Sequence, residues 1–162
     1  MSEKIKYILT PVAEQQMEDM LTDEGLEGSR DKWLYQKLRI AAVNASKNVA
    51  SLQTDGKLVL GDNILTITKA DFDKVNIPRD ESYKPPYEGK LSMITLGSYL
   101  YNMLHQAAAL QNCLNKQTTG RIFASMEEYI QSLITVSILG EWTTFQEKIL
   151  IKEENELVND ID

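Results

Sequence analysis

Apolar side chains recur at helical spacing in the first third of the chain and predict two helices. The first begins after Thr10, a typical N-cap that is followed by a proline, and it runs to about Asp23. The second is longer, with Ser29 as its predicted cap and Leu52 as its last apolar position. The residues expected on the inner sides are Val12, Met17, Met20 and Leu21, and then Trp33, Leu34, Leu38, Ala41, Ala42, Ala45, Val49 and Leu52.

Two β-prone runs after the second helix predict one hairpin. Lys57–Leu60 and Ile64–Thr68 flank a Gly-Asp-Asn triplet that is typical of a turn. An isolated hairpin is marginally stable in water, so we expect it to pack on helices. One helical turn is predicted over 71–75. The following residues, 76–90, contain three prolines and no periodic apolar pattern, which predicts a long loop or an extended arm.

Charge is distributed unevenly, and its absence marks the next predicted helix. Residues 91–146 hold five charged side chains, whereas the 90 residues before them hold 15 acidic and 13 basic ones. Within this region, Ser92–Asn115 has no formal charge and has helical spacing, but its Asn and Gln side chains are too polar for a membrane span. We therefore expect this helix to be covered on most sides, either inside one subunit or between subunits.

The end of the chain is predicted to contain two further helices and a tail. Ser125 and Glu128 form a capping box that opens the first of them, although the β-branched run 134–138 would also suit a strand. Gly140 then marks a kink or break before a last helix. Residues 153–162 are acidic, and we expect this tail to be frayed or to be held only by a partner.

Together these elements predict a mainly α fold: a helical bundle with one small β-hairpin inserted after the second helix and a long proline-containing loop. Residues 1–152 would form one helical domain, which suits a chain of 162 residues that is 43% hydrophobic and 25% charged. The net charge of −7 argues against a surface that binds nucleic acid. A single cysteine and the lack of a signal-peptide pattern favour a reducing, cytoplasmic location.

Candidate chemistry is sparse, and we predict no enzyme, no cofactor and no metal. His105 is the only histidine, and Cys113 lies eight positions later, about 12 Å along a helix and beyond the reach of a catalytic dyad. Asp71 and Asp73 lack the spacing of a calcium-binding loop. The glycines form neither a phosphate-binding motif nor a nucleophile elbow.

Contact with other proteins is the function that the sequence favours, because interface cores are depleted of charge. Tyr83 and Tyr87 flank a Lys-Pro-Pro segment in the long loop, which either packs against its own domain or docks on a neighbouring subunit. The predicted interface residues are Leu96, Leu100, Leu104, Tyr83, Tyr87, Trp142 and Phe145. We expect a structural or adaptor subunit in a larger assembly. The alternatives are a small cytosolic helical dimer and an acidic inhibitor that binds a protein partner.

The order of these elements resembles that of the head-to-tail adaptor, or connector ring, proteins of short-tailed phages. A short acidic helix ends near Asp23, and then come a long helix Arg30–Leu52, the hairpin, a proline-bearing loop and a helical half with an acidic end. In that family, helical subunits form a ring beneath the portal and C-terminal segments embrace neighbours. The resemblance implies a virion protein in a homo-oligomer or a ring with neighbouring assembly proteins. It implies neither sequence-specific nucleic-acid contact nor a membrane.

Overall fold

The computed structural model describes residues 2–23, 25, 30–62, 64–85 and 88–136. The elements in chain order are β1 (Ser2–Leu9), α1 (Pro11–Asp23), α2 (Arg30–Asp55), β2 (Lys57–Leu60), β3 (Leu65–Thr68), α3 (Lys69–Asp73), β4 (Lys90–Gly97) and α4 (Ser98–Gln117), followed by a helix over 126–136 that we label α5. The described part of the chain is mainly helical and has two small antiparallel β pairs. The prediction of a mainly α fold with a hairpin is confirmed at this level.

Helices α1 and α2 lie where the apolar spacing predicts them. The Thr10 hydroxyl accepts the Ala13 N–H at 3.1 Å and caps α1. Ala13, four positions before Met17, takes the inner place that we predicted for Val12, which is instead 66% exposed. The chain leaves α2 through Gly56, whose φ of 74° favours glycine. The predicted cap of α2, Ser29, lies outside the described residues.

The predicted hairpin and short helix are also confirmed, with small changes of boundary. Strands β2 and β3 pair antiparallel, and the turn between them contains Gly61 and Asp62, both at positive φ. Thr68 then caps α3, because its hydroxyl accepts the Asp71 N–H at 3.1 Å. This hairpin packs on the helices through a small apolar cluster that contains Val49, Leu52, Leu58, Ile67, Phe72, Ala109, Leu110 and Cys113.

Strands β1 and β4 form an antiparallel sheet that the helical interpretation of the sequence missed. Ile5 lies opposite Ile94, and Ser2 lies opposite Gly97. The uncharged helix predicted from Ser92 therefore begins only at Ser98. The physical reason is alternation: buried and exposed side chains follow each other at period two along both strands, and each strand supplies the hydrogen-bonding partner that the other needs.

One face of this sheet packs against the helices and forms the main core. Gly89 allows the chain to enter β4, since a Cβ at this position would overlap the backbone of Leu9. The side chains that meet in this core include Ile5, Tyr7, Leu9, Ile94 and Leu96 from the sheet, and Leu34, Leu38, Leu104, Met126 and Ile130 from the helices. The fold is thus a sheet covered on one face by helices, and the sheet replaces part of the bundle that we predicted.

Part of the predicted loop arm packs against its own domain. Ile77 is buried in the main core, and the Pro78 carbonyl accepts the Met126 N–H at 2.9 Å. At the start of α5 the Ser125 hydroxyl accepts the Glu128 N–H at 3.1 Å, which confirms the predicted cap and the helical alternative for this segment as far as residue 136. The predicted break at Gly140, the last helix and the acidic tail lie outside the described residues.

Among the helices of the described residues, none combines the length and the apolar character that crossing a bilayer requires.

Candidate interaction surface at the open edge of the sheet

One edge of the β1–β4 sheet is closed by Arg79, which lies in the loop before β4. Its guanidinium bonds to the Lys4 carbonyl at 2.9 Å, to the Glu127 carboxylate at 2.8 Å and to the Glu3 carboxylate. Glu127 is 2% exposed and also accepts the Asp80 N–H at 2.8 Å. Burial alone would lower the pKa of Arg79, but the hydrogen bond and charges of Glu127 and Glu3 outweigh it and raise that pKa.

Gln131 of α5 closes the same edge further along β1. Its side-chain oxygen accepts the Ile8 N–H at 2.7 Å, and its amide nitrogen donates to the Ile8 carbonyl at 2.9 Å. The side chain therefore occupies both backbone groups of Ile8 as a neighbouring strand would. Strand edges without a partner are commonly blocked in ways such as this.

The contacts of Ile8 and Lys4 show in which direction the backbone groups of the sheet point. Both residues are even-numbered, and their backbone N–H and C=O groups point away from β4. Residues of an antiparallel pair alternate between hydrogen-bonded and non-hydrogen-bonded positions, so the odd-numbered residues of β1 face β4. Their partners are the even-numbered residues of β4. Leu91, Met93 and Thr95 therefore direct their N–H and C=O groups to the other edge of β4, where no strand of the described residues pairs with them.

A groove of about 500 Å³ lies beside this open edge, and we call it the β4 groove. One wall is β4 and the other is the N-terminal half of α2. Its lining residues are Asp31, Lys32, Tyr35, Gln36, Arg39, Met93, Ile94 and Thr95. A second recess of about 390 Å³ shares Gln36 and Arg39 with the groove and continues along α2 past Ile40 and Val43. The two together form one furrow along the helix.

Apolar side chains are exposed along this furrow. On β4, Leu91 is 59% and Met93 50% exposed, and on α2 the exposed apolar residues are Tyr35, Ile40 and Val43. Lys32 and Arg39 lie between them and form no ion pair with any described residue. Among the described residues, the β4 groove therefore combines backbone groups without a strand partner, apolar side chains and two cations without an ion pair, which is a surface suited to binding an extended chain.

Two buried polar atoms, Gln16 Oε1 and Trp33 Nε1, have no hydrogen-bond partner among the described residues. Four other buried polar side chains hold the structure together: Asn112, Ser125, Glu127 and Gln131. Asn112 bonds to both the N–H and the carbonyl of Phe123, at 2.8 and 3.0 Å. Ser125 caps α5, Glu127 binds Arg79, and Gln131 bonds to both backbone groups of Ile8. Each is therefore engaged in structural hydrogen bonds.

A cavity of about 640 Å³ lies between α3, α4 and residues 122–124, and Cys113 lines it. Lys74 and Lys116 line the same cavity. Burial raises the pKa of the Cys113 thiol, and it raises the pKa of Tyr129, near this cavity, to about 12. Burial therefore favours the protonated form of both groups. No group of three or more potential metal ligands occurs among the described residues.

Three of the seven predicted interface residues are buried within one chain. Leu96, Leu100 and Leu104 lie in the main core of a single chain, so they do not face a second subunit. The reason is that the apolar side of the charge-free segment packs against β1, α2 and α5 of its own chain. Tyr83 is half-buried and has an interaction partner. Tyr87, Trp142 and Phe145 lie outside the described residues.

The sequence carries a signal for the open edge that we did not use. Leu91, Met93 and Thr95 alternate with Ser92, Ile94 and Leu96, and this period of two is typical of a strand. Comparisons with protein-family models, with curated proteins and with solved structures gave no match to this chain. The geometry of the β4 groove is thus the basis on which function is argued.

Proposed function

We propose that this protein is a non-enzymatic subunit that acts through contacts with other proteins in a larger assembly. The open edge of β4 is the observation that supports the proposal. It presents unpaired backbone groups and exposed apolar side chains, whereas the edge of β1 is closed by Arg79 and Gln131. An exposed strand edge invites pairing with another chain, and in the described part of this chain one edge is closed and the other is not, which supports binding at the second edge.

The polar chemistry of the described residues supports the same proposal. The four buried polar side chains are engaged in structural hydrogen bonds, and burial favours the protonated form of the Cys113 thiol. The β4 groove offers apolar contacts, backbone groups and two cations. These are the components of a binding surface, and they do not resemble the paired acid and base of a catalytic site.

The assembly that we propose is a homo-oligomer or a ring with neighbouring assembly proteins. The resemblance to phage connector rings was based on a short helix, a long helix and a hairpin in that order, and α1, α2 and the β2–β3 hairpin follow one another in the same order. The β1–β4 sheet is an addition to that order. We therefore propose that the protein is part of a virion. The alternative is a cytoplasmic helical dimer, and a measurement of the native mass distinguishes a dimer from a ring.

Site-specific photo-crosslinking in the native source tests this function. A photoreactive amino acid is placed at Met93 in the β4 groove, and in a matched variant at Ile64, which is exposed on the hairpin turn. We expect discrete protein adducts from Met93 and none from Ile64, together with a native mass well above the 18.4 kDa of one chain. A monomeric mass with no adduct from Met93 would contradict the proposal.

A further inference from the structure

The geometry points to an acidic, extended segment of a partner protein as the occupant of the β4 groove, where it adds a third strand to the β1–β4 sheet. This inference rests on the proposed function and specifies the chemistry of the partner. Three features carry it: the direction of the backbone groups on β4, the side chains on the two sides of the open edge, and the charge around them.

The backbone groups of β4 supply the first part of such a site. Leu91, Met93 and Thr95 direct their N–H and C=O groups outward at alternate positions, over the length of one short strand. A chain that runs beside β4 at the ordinary strand spacing of about 4.8 Å satisfies these groups. Main-chain hydrogen bonds give affinity in this mode of binding, and the side-chain environment on each face gives specificity.

The two faces of the added strand meet different surroundings. On the outer face lie Leu91 and Met93, which are exposed and apolar. On the inner face α2 flanks the open edge, because the inward-facing Ile94 lines the same groove as Lys32 and Arg39. Successive side chains of a strand point to opposite faces, so the complementary segment alternates apolar side chains with acidic ones.

Charge around the edge favours an acidic segment although the whole chain has a net charge of −7. Lys32 and Arg39 line the β4 groove with a single carboxylate, that of Asp31. On the outer face, Lys4 and Lys6 share a recess with Met93, with Glu81 and with the paired Arg79 and Glu127, so cations exceed carboxylates there by one. The attraction for a negatively charged segment therefore comes mainly from Lys32 and Arg39, and it weakens as the salt concentration rises.

A second copy of this chain is a less favourable partner for the open edge than an extended segment that has no helix beside it. Two copies that pair through β4 about a two-fold axis also bring together the two α2 helices that flank the edges. Lys32 and Arg39 of one copy then approach the same cations of the other copy, and juxtaposed like charges oppose association. A segment without a flanking helix avoids this repulsion, so we assign the groove to an extended segment of another protein.

Peptide binding to the full chain tests the inference. The probes are a synthetic peptide that alternates Val with Glu and a matched one that alternates Val with Lys. We expect the acidic peptide to bind, to slow hydrogen exchange of the Met93 and Thr95 amides, and to lose affinity as salt is added. We expect the basic peptide to leave these amides unchanged. Equal binding of the two peptides would overturn the inference.

Matched variants identify the groove as the binding site. Arg39→Glu should weaken binding of the acidic peptide about tenfold or more, because it removes a cation and adds a like charge. Lys47→Glu makes the same change at an exposed site on the same helix outside the groove and should leave binding unchanged. Thr95→Pro should also weaken binding, since it removes an N–H from the open edge only.

Other occupants give recognisably different results. Protection of the Met93 and Thr95 amides in a peptide-free dimer would assign the edge to a second copy and overturn the inference. Binding that appears only after residues 153–162 are deleted would assign it to the acidic end of this chain, with the same consequence. If neither peptide binds while Met93 still forms crosslinks in the native source, the inference fails and the proposed function stands. If the acidic peptide binds but Met93 forms no crosslink and the native mass is that of one chain, the proposed function fails and the groove still binds acidic segments.

Discussion

The two edges of the β1–β4 sheet differ in what covers them. At the edge of β1, Gln131 and Arg79 occupy backbone groups of Ile8 and Lys4, so this edge has partners from its own chain. At the edge of β4, the described residues provide no such cover, and apolar side chains stand exposed beside it. In the described part of the chain, side chains from other elements therefore protect one edge of the sheet and not the other.

The closed edge also joins distant parts of the sequence. Arg79 and Glu127 are 48 positions apart, and Gln131 and Ile8 are 123 positions apart. These contacts connect the first strand to the loop before β4 and to α5. We therefore expect the stability of the fold to depend on the closed edge, and we propose that the open edge serves binding. Three substitutions test this division.

Arg79→Met should have the largest effect on stability. It removes the cation from Glu127, whose carboxylate is buried, and a buried charge without its partner costs about 3–5 kcal/mol. Chemical denaturation measures the free energy of unfolding. The double variant Arg79→Met with Glu127→Gln should recover part of the loss, because the uncompensated charge is then absent. If Arg79→Met unfolds at the wild-type denaturant concentration, the closed edge does not hold the fold.

Gln131→Leu should have an intermediate effect. It leaves the N–H and carbonyl of Ile8 without their partner, which costs about 1–3 kcal/mol. Hydrogen exchange of the Ile8 amide should become faster, and denaturation should show the lower stability. Gln106→Leu, at an exposed position of α4, is the matched control and should change little. Similar results for the two variants would mean that Gln131 does not close the edge.

Elements with long, regular spacing were predictable from the sequence. The apolar positions of α2 extend over about five helical turns, and the Gly61-Asp62 turn predicts the hairpin directly. Strand β4 was not predictable in the same way. Ile94 and Leu96 also fit a helical face that continues to Leu100, and over so few residues the two periods are hard to separate.

The candidate site depends on pairings that no local pattern contains. The open edge exists because β1 pairs with one side of β4, and these strands are separated by three helices and the hairpin. Glu127 likewise pairs with Arg79, a residue 48 positions earlier in the chain. The charge-poor segment is covered on its apolar side only: Leu100 and Leu104 pack in the core of the same chain, whereas Met93 is half-exposed. Tyr99, 80% exposed, shows that the cover is incomplete.

Met93→Glu should have the smallest effect on stability and the clearest effect on binding. The Met93 side chain is half-exposed on the outer face, so the free energy of unfolding should change by no more than about 0.5 kcal/mol. The new carboxylate should repel the acidic peptide and reduce crosslinking from a photoreactive residue at Tyr35, across the β4 groove. Leu96→Glu, which places the same charge in the core, should instead prevent folding. If Met93→Glu lowers stability as much as Gln131→Leu does, both edges serve the fold and the division between them is wrong.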